Sequence, residues 1–84
     1  MKPLIKLGDG TLLVTSAIGA VTSTNQFRNE DGVEKQIRTT RVLSISANPL
    51  YELVTVIDKT HMEAISHAAA AHRAIVEAVE TGFL

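Results

Sequence analysis

The chain has 84 residues, no cysteine, and eight basic against nine acidic side chains for a net charge of −1. That balance argues against broad charge-driven binding to nucleic acid or anionic membrane, and the missing thiols exclude disulfides and thiolate metal sites. The aromatics are Phe27, Tyr51 and Phe83, so the core must come from Leu, Ile, Val and Ala, and oligomerisation is the common remaining route to stability for so small a domain. Residues 1–7 lack the long apolar run of a signal peptide and no stretch reaches eighteen apolar residues, which sets the expectation of a cytoplasmic protein.

Leu4, Ile5 and Leu7 form a short apolar run that stops at Gly8-Asp9-Gly10, and residues 11–15 resume a β-rich pattern, giving a first hairpin. Val, Thr and Ser dominate residues 18–28, and a second β-rich run follows Asn29-Glu30-Asp31-Gly32 to about residue 46. With those four residues as the loop, Arg28 pairs with Val33, Ile18 faces Leu43, Thr22 faces Thr39 and Thr24 faces Ile37. The far half of this hairpin is too polar to be all core. It either projects as an arm or lies half-solvated. Ala47-Asn48-Pro49-Leu50 is a break, because proline fixes its own φ and pushes the preceding residue out of the helical region. In the last strand, residues 51–57, Leu53, Thr55 and Ile57 share one face and Val54 and Val56 the other, which predicts burial on both sides and a central place in the sheet.

The helix has the clearest signals. Thr60-His61-Met62-Glu63 reads as a capping box, and Gly82 lies where a helix end favours positive φ. Spacing of about 100° per residue gathers Ile65, Ala68, Ala69, His72, Ile75, Val76 and Val79 on one side, with Glu63, Ser66, Arg73, Glu77 and Thr81 opposite. Beside the bulky stripe of Ile65, Val76 and Val79 runs a small one, Ala64, Ala68, Ala71 and Ala78. The small stripe either lies close on the chain's own sheet or packs against the same helix of a second subunit in an isologous dimer. The predicted fold is therefore α+β: an antiparallel meander of about five strands, two hairpins plus a central last strand, against one long C-terminal helix. It forms one domain over residues 1–84, strand-rich to residue 57 and helical over 60–82.

Few residues suggest chemistry. His67, four residues after Glu63, reads as half of an exposed helix pair, and His61 sits in the first helical turn, where the helix dipole disfavours its charged form. His72 falls in the middle of the apolar side, where an imidazole needs a partner; it is a satisfied core residue, an interface residue or a ligand contact. The histidine spacing supports no dedicated metal site. No glycine-flanked nucleophile elbow is present, and Gly8-Asp9-Gly10 is a turn rather than a nucleotide-binding loop. Asp58 and Glu63 flank the helix start, where capping explains them. Arg28, Lys35, Arg38 and Arg41 lie on the second hairpin near Phe27. On the trial register Arg41, Lys35 and Arg28 share a face and Arg38 points away. Such a cluster could hold a phosphate-bearing ligand, or form an ordinary solvated face balanced by Glu30, Asp31 and Glu34.

A glycine-aspartate-glycine hairpin, a short meander and an alanine-rich helix together resemble, in layout alone, the compact proteins that phages and mobile elements encode to bind host components or nucleotide signals. The resemblance brings no active site with it. The function expected is a non-enzymatic, homo-oligomeric binding module without a cofactor, an inhibitor or signal-sequestering protein that holds a protein partner or a small anionic ligand. Arg28, Arg38, Arg41 and Phe27 would contact the ligand, and Ala64, Ala68, Ala71 and Ala78 would form the subunit interface. The alternative is a nucleic-acid-binding protein that inserts the 18–46 hairpin into a groove as a ribbon. An enzyme centred on His72 is a third reading.

Overall fold

The computed structural model describes all 84 residues, Met1–Leu84. A reversal of the chain at Asp31-Gly32 sets the geometry of the main sheet. Asp31 (φ 53°) and Gly32 (φ 80°) both take positive φ, the arrangement of a two-residue type I′ turn, whose twist matches that of the strands it joins. The Asn29 side-chain oxygen accepts the Gly32 N–H at 3.1 Å. Strands β3 (Ile18–Glu30) and β4 (Val33–Ser44) consequently pair Glu30 with Val33, Arg28 with Lys35, Thr24 with Thr39 and Thr22 with Arg41. The four-residue loop predicted over residues 29–32 is thus corrected to two residues. Most pairings move by two positions, which leaves side chains on their expected faces.

Strand β5 (Pro49–Asp58) pairs antiparallel with β4, so the sheet order is β3-β4-β5 and the central strand is β4. The central position predicted for the last strand is corrected: β5 is an edge. Its inner face, Tyr51, Leu53, Thr55 and Ile57, is half-buried, while Val54 and Val56 remain 47% and 53% exposed on the outer face. No strand of this chain is left to cover that edge, because β1 (Leu4–Lys6) and β2 (Leu12–Val14) pair with each other in a separate two-stranded sheet. A 3-10 turn, Thr15–Ala17, joins this small hairpin to β3. Five antiparallel strands and one C-terminal helix, α1 (Met62–Gly82), make the α+β fold predicted from the sequence.

The helix lies along the inner face of the sheet and buries Ala68, His72, Ile75, Val79 and Gly82. Ile75 and Val79 join Ile5, Leu7, Leu13, Ile18 and Val42 in an aliphatic core flanked by Val21, Tyr51, Leu53 and Ala78. Full burial of such side chains contributes about 1.5–3 kcal/mol each before chain entropy is counted. The core sits toward the end where the small hairpin docks. At the other end β5 stops at Asp58, which pairs with Lys35, and the Lys59 N–H still bonds the Glu34 carbonyl, so residues 30–33 run past the third strand as a short projecting tip. The molecule is accordingly long, 45 × 25 × 18 Å. No helix is long and apolar enough to cross a membrane.

Both helix ends differ from the signals read in the sequence. The N-cap is His61, with no side-chain cap bond. Thr60 instead donates both its backbone N–H and its hydroxyl to Asp58 Oδ1, each at 2.9 Å, and the Asp58 carbonyl accepts the His61 N–H at 3.0 Å. The turn after β5 thereby takes up the threonine that a capping box would need. Gly82 belongs to the helix and does not take positive φ. Its requirement is space: a Cβ there would run into the Ile5 side chain, and the Gly82 carbonyl accepts the Lys2 N–H at 2.9 Å.

Candidate binding surfaces

His72 projects from the middle of α1 onto the inner face of the sheet and is 1% exposed. Its Nδ1 lies 2.7 Å from Thr40 Oγ1 on β4 and its Nε2 lies 2.9 Å from Thr55 Oγ1 on β5. Thr40, itself fully buried, continues the chain to Ser23 Oγ on β3 at 3.0 Å. Either neutral tautomer satisfies the chain, since each hydroxyl can donate one way and accept the other. Hydrogen bonding therefore leaves the charge state open. Burial pushes the His72 pKa down, and the positive charge of Arg38 pushes it further the same way. Of the three roles open to His72, the structure assigns that of a satisfied core residue. Thr40, Thr55 and Ser23 were not singled out from the sequence. Thr55 interrupts the inward row Leu53, Thr55, Ile57, and that interruption was the available signal.

The four residues expected to hold an anionic ligand fall on two faces. Arg28 and Arg41 project from the outer face, six residues apart when measured along β4 from Lys35, the partner of Arg28, which is roughly 20 Å at strand rise. Arg28 and Lys35 each lie 3.5 Å from a Glu30 carboxylate oxygen, and Arg41 pairs with Glu52 across β4 and β5. Exposed pairs of this kind are worth at most about 1 kcal/mol. Arg38 lies on the inner face with a buried, unpartnered Nε, and Phe27, 59% exposed, lies on the same face opposite Gln36. The structure brings Arg28 together with Lys35, and it does not bring Arg28, Arg38, Arg41 and Phe27 to one place.

The alanines also divide. Ala68 is 7% exposed against its own sheet, so its expected place in a subunit interface is corrected. Ala64 and Ala71 are exposed and Ala78 is half-buried; Ala78 lies on the side of α1 toward β1 and Ala71 on the side toward β5. Beneath Ala71 and Ala74 lies a cavity of about 300 Å³, walled by Tyr51 and Leu53 of β5 and by Leu7, Gly8, Asp9 and Ile75. At its mouth the Tyr51 hydroxyl donates to Asp9 Oδ2 at 2.9 Å, and the Thr11 N–H donates to Asp9 Oδ1 at 2.9 Å. The bond from the Thr11 N–H, then those from the Thr11 and Tyr51 side chains, hold the Asp9 carboxyl below its usual range. No group of three or more His, Asp or Glu side chains gathers at a metal-binding distance.

The outer face of the three-stranded sheet has no element of the chain packed on it, the helix lying on the inner face. Ile37 and Thr39 of β4 stand beside Val56 and Val54 of β5 and beside Gln26 and Thr24 of β3. This β-branched stripe is framed by Arg41 with Glu52 at one end and by Lys35 with Asp58 at the other. Comparison with protein-family models, with curated proteins and with solved structures finds no match for this chain.

Proposed function

We propose that this chain is a small, non-enzymatic binding module that works as an oligomer and offers the outer face of its sheet to a protein partner. The stripe of exposed Val54 and Val56 beside half-buried Ile37 and Thr39, framed by charged residues, carries the proposal. A half-apolar patch with a charged rim is the usual form of a protein contact. An anionic ligand finds less support, because Arg28 and Arg41 have carboxylate neighbours and Arg38 lies on the opposite face. The same pairing weakens the ribbon mode of nucleic-acid binding.

A photo-crosslinking side chain at Thr24, on the outer face, tests the proposal when it is compared in the source cell with one at Arg73, exposed on the helix. The expected result is a discrete adduct to another protein from position 24 and none from position 73. No adduct from either position, or the same adducts from both, overturns the proposal. An adduct of twice the chain mass from position 24 replaces the protein partner with a second copy at that face.

A further inference from the structure

The free edge of β5 is lightly protected: its proline and its bulge, at Leu50, lie at the strand's first end, and Glu52 and Asp58 are its charged residues. Natural sheet edges carry lysines, prolines or mid-strand bulges that stop another strand from adding. In β5 the proline is the first residue, Pro49, the irregularity in pairing lies between Val42 and Leu43 near that same end, and residues 50–58 contain no lysine or arginine. Along that edge the strand alternates Tyr51, Leu53, Thr55 and Ile57 on the inner face with Glu52, Val54, Val56 and Asp58 on the outer, and its backbone groups on the free side have no partner within the chain.

We infer that β5 pairs antiparallel with β5 of a second copy, joining the two three-stranded sheets into one of six strands. The dimer rests on the reading above that the chain works as an oligomer, and it names the surface and the partner.

The register follows from the backbone. The Lys59 N–H bonds the Glu34 carbonyl, so by the alternation of antiparallel pairs the odd-numbered residues of β5 bond to β4. Glu52, Val54 and Val56 then turn their N–H and C=O groups to the free edge. A two-fold pairing that uses these groups sets even residues opposite even ones. Centring it between Val54 and Val56 places Glu52 opposite Asp58 of the partner subunit, twice, and like charges directly opposite are unfavourable. Centring it on Val54 removes the clash. Val54 then meets Val54 of the partner subunit, and Glu52 meets Val56 of the partner subunit.

On the inner face this register sets Leu53 opposite Thr55 of the partner subunit, and Tyr51 opposite Ile57 of the partner subunit. The cavity of about 300 Å³ walled by Tyr51, Leu53, Ala71 and Ala74 lies where that isoleucine projects. Isologous contact fills both cavities alike.

The test uses the whole chain. Sedimentation equilibrium over a range of concentrations is expected to show a dimer, and Val54→Lys, which sets two cations side by side on the axis, is expected to raise its dissociation constant by about tenfold or more. Because the chain has no cysteine, Val54→Cys under mild oxidation should give a covalent dimer, since facing residues of a ladder lie within disulfide reach, whereas Val56→Cys should not. Circular dichroism confirms that each variant is folded; if Val54→Lys fails to fold, the two cysteine variants decide. A monomer at every concentration overturns the inference, as does cross-linking at position 56 in preference to 54. A monomer that still gives a position 24 adduct removes the β5 contact and the oligomer with it, and leaves only the outer-face contact with a protein partner standing.

Discussion

Replacing Thr40 by valine keeps the shape of the side chain and removes the hydroxyl that joins Ser23 to His72. Ser23 is exposed and can turn to water. His72 cannot: at 1% exposure, with Thr40 itself fully buried, its Nδ1 is left without a partner. A stranded buried polar atom costs about 1–3 kcal/mol. For a domain of this size each kcal/mol moves the melting temperature by about 4–8 °C, so Thr40→Val should lower it by roughly 5–20 °C. Thr55→Val should cost less, because Thr55 is half-buried where Thr40 is fully buried, so the lost bond lies nearer the surface. Removing the whole chain with Thr40→Val, Thr55→Val and His72→Leu should recover part of the loss, since apolar replacement of both partners leaves nothing unsatisfied. The assay is thermal unfolding followed by circular dichroism at pH 7.5. A Thr40→Val change under about 2 °C, or a triple variant less stable than Thr40→Val alone, refutes the assignment of His72 as a core residue held by its hydrogen bonds.

Stability should also depend on pH through His72. Its folded pKa is lowered from the usual 6.5, so the unfolded chain binds the proton more readily and stability, complete above 6.5, is lost as pH falls from there toward the folded value. Melting temperatures from pH 7.5 to 5 should fall for the native chain and stay flatter for His72→Gln; equal slopes would remove His72 as the cause. Ala47 sits at φ 65°, where a Cβ costs about 1–2 kcal/mol. Ala47→Gly should therefore raise stability by a few tenths to about 1 kcal/mol after the added freedom of the unfolded chain is counted, and a lower denaturation midpoint in urea would contradict it. Gly82→Ala should destabilise by about 1–3 kcal/mol through contact with Ile5, less whatever the better helix former returns. The loss should shrink in an Ile5→Val background, and a double-mutant cycle with no coupling would show that the glycine has another purpose.

Local signals made most of the architecture legible. The Gly8-Asp9-Gly10 turn, the strand pair around Asp31-Gly32 and the 3.6-residue period of the helix all led to the elements observed. The register of β3 and β4 missed by two because Asn29 and Glu30 look like turn residues, while the positive φ of Asp31 and Gly32 lets the ladder run two residues further. Since side chains alternate, the faces of Arg28, Arg38 and Arg41 were still read correctly. The helix start was less legible: Asp58 outcompetes Glu63 for Thr60, a contest between near neighbours that the spacing alone does not decide. Partners of His72 come from two strands, so they could be named only once the register was known. The pattern of β5 led to a central place because Val54 and Val56 look like core residues, whereas pairing partners, not side-chain faces, decide which strand lies at the edge.

The bond from the Lys2 N–H to the Gly82 carbonyl, with Ile5 packed on Gly82, fastens the first strand to the last turn of the helix. This contact joins residues 80 apart in sequence, and a loop that long costs more entropy to close than a two-residue turn, although the cost grows only with the logarithm of length. The β3–β4 ladder, closed by a two-residue turn, can zip locally and early. Docking of the ends comes late and acts as a latch: until it closes, Ile5, Leu7 and Leu13 remain in water and the aliphatic core stays open at one side. Loosening it, by lengthening residues 1–3 or by trimming residues 82–84, should speed unfolding while hardly changing the rate of folding.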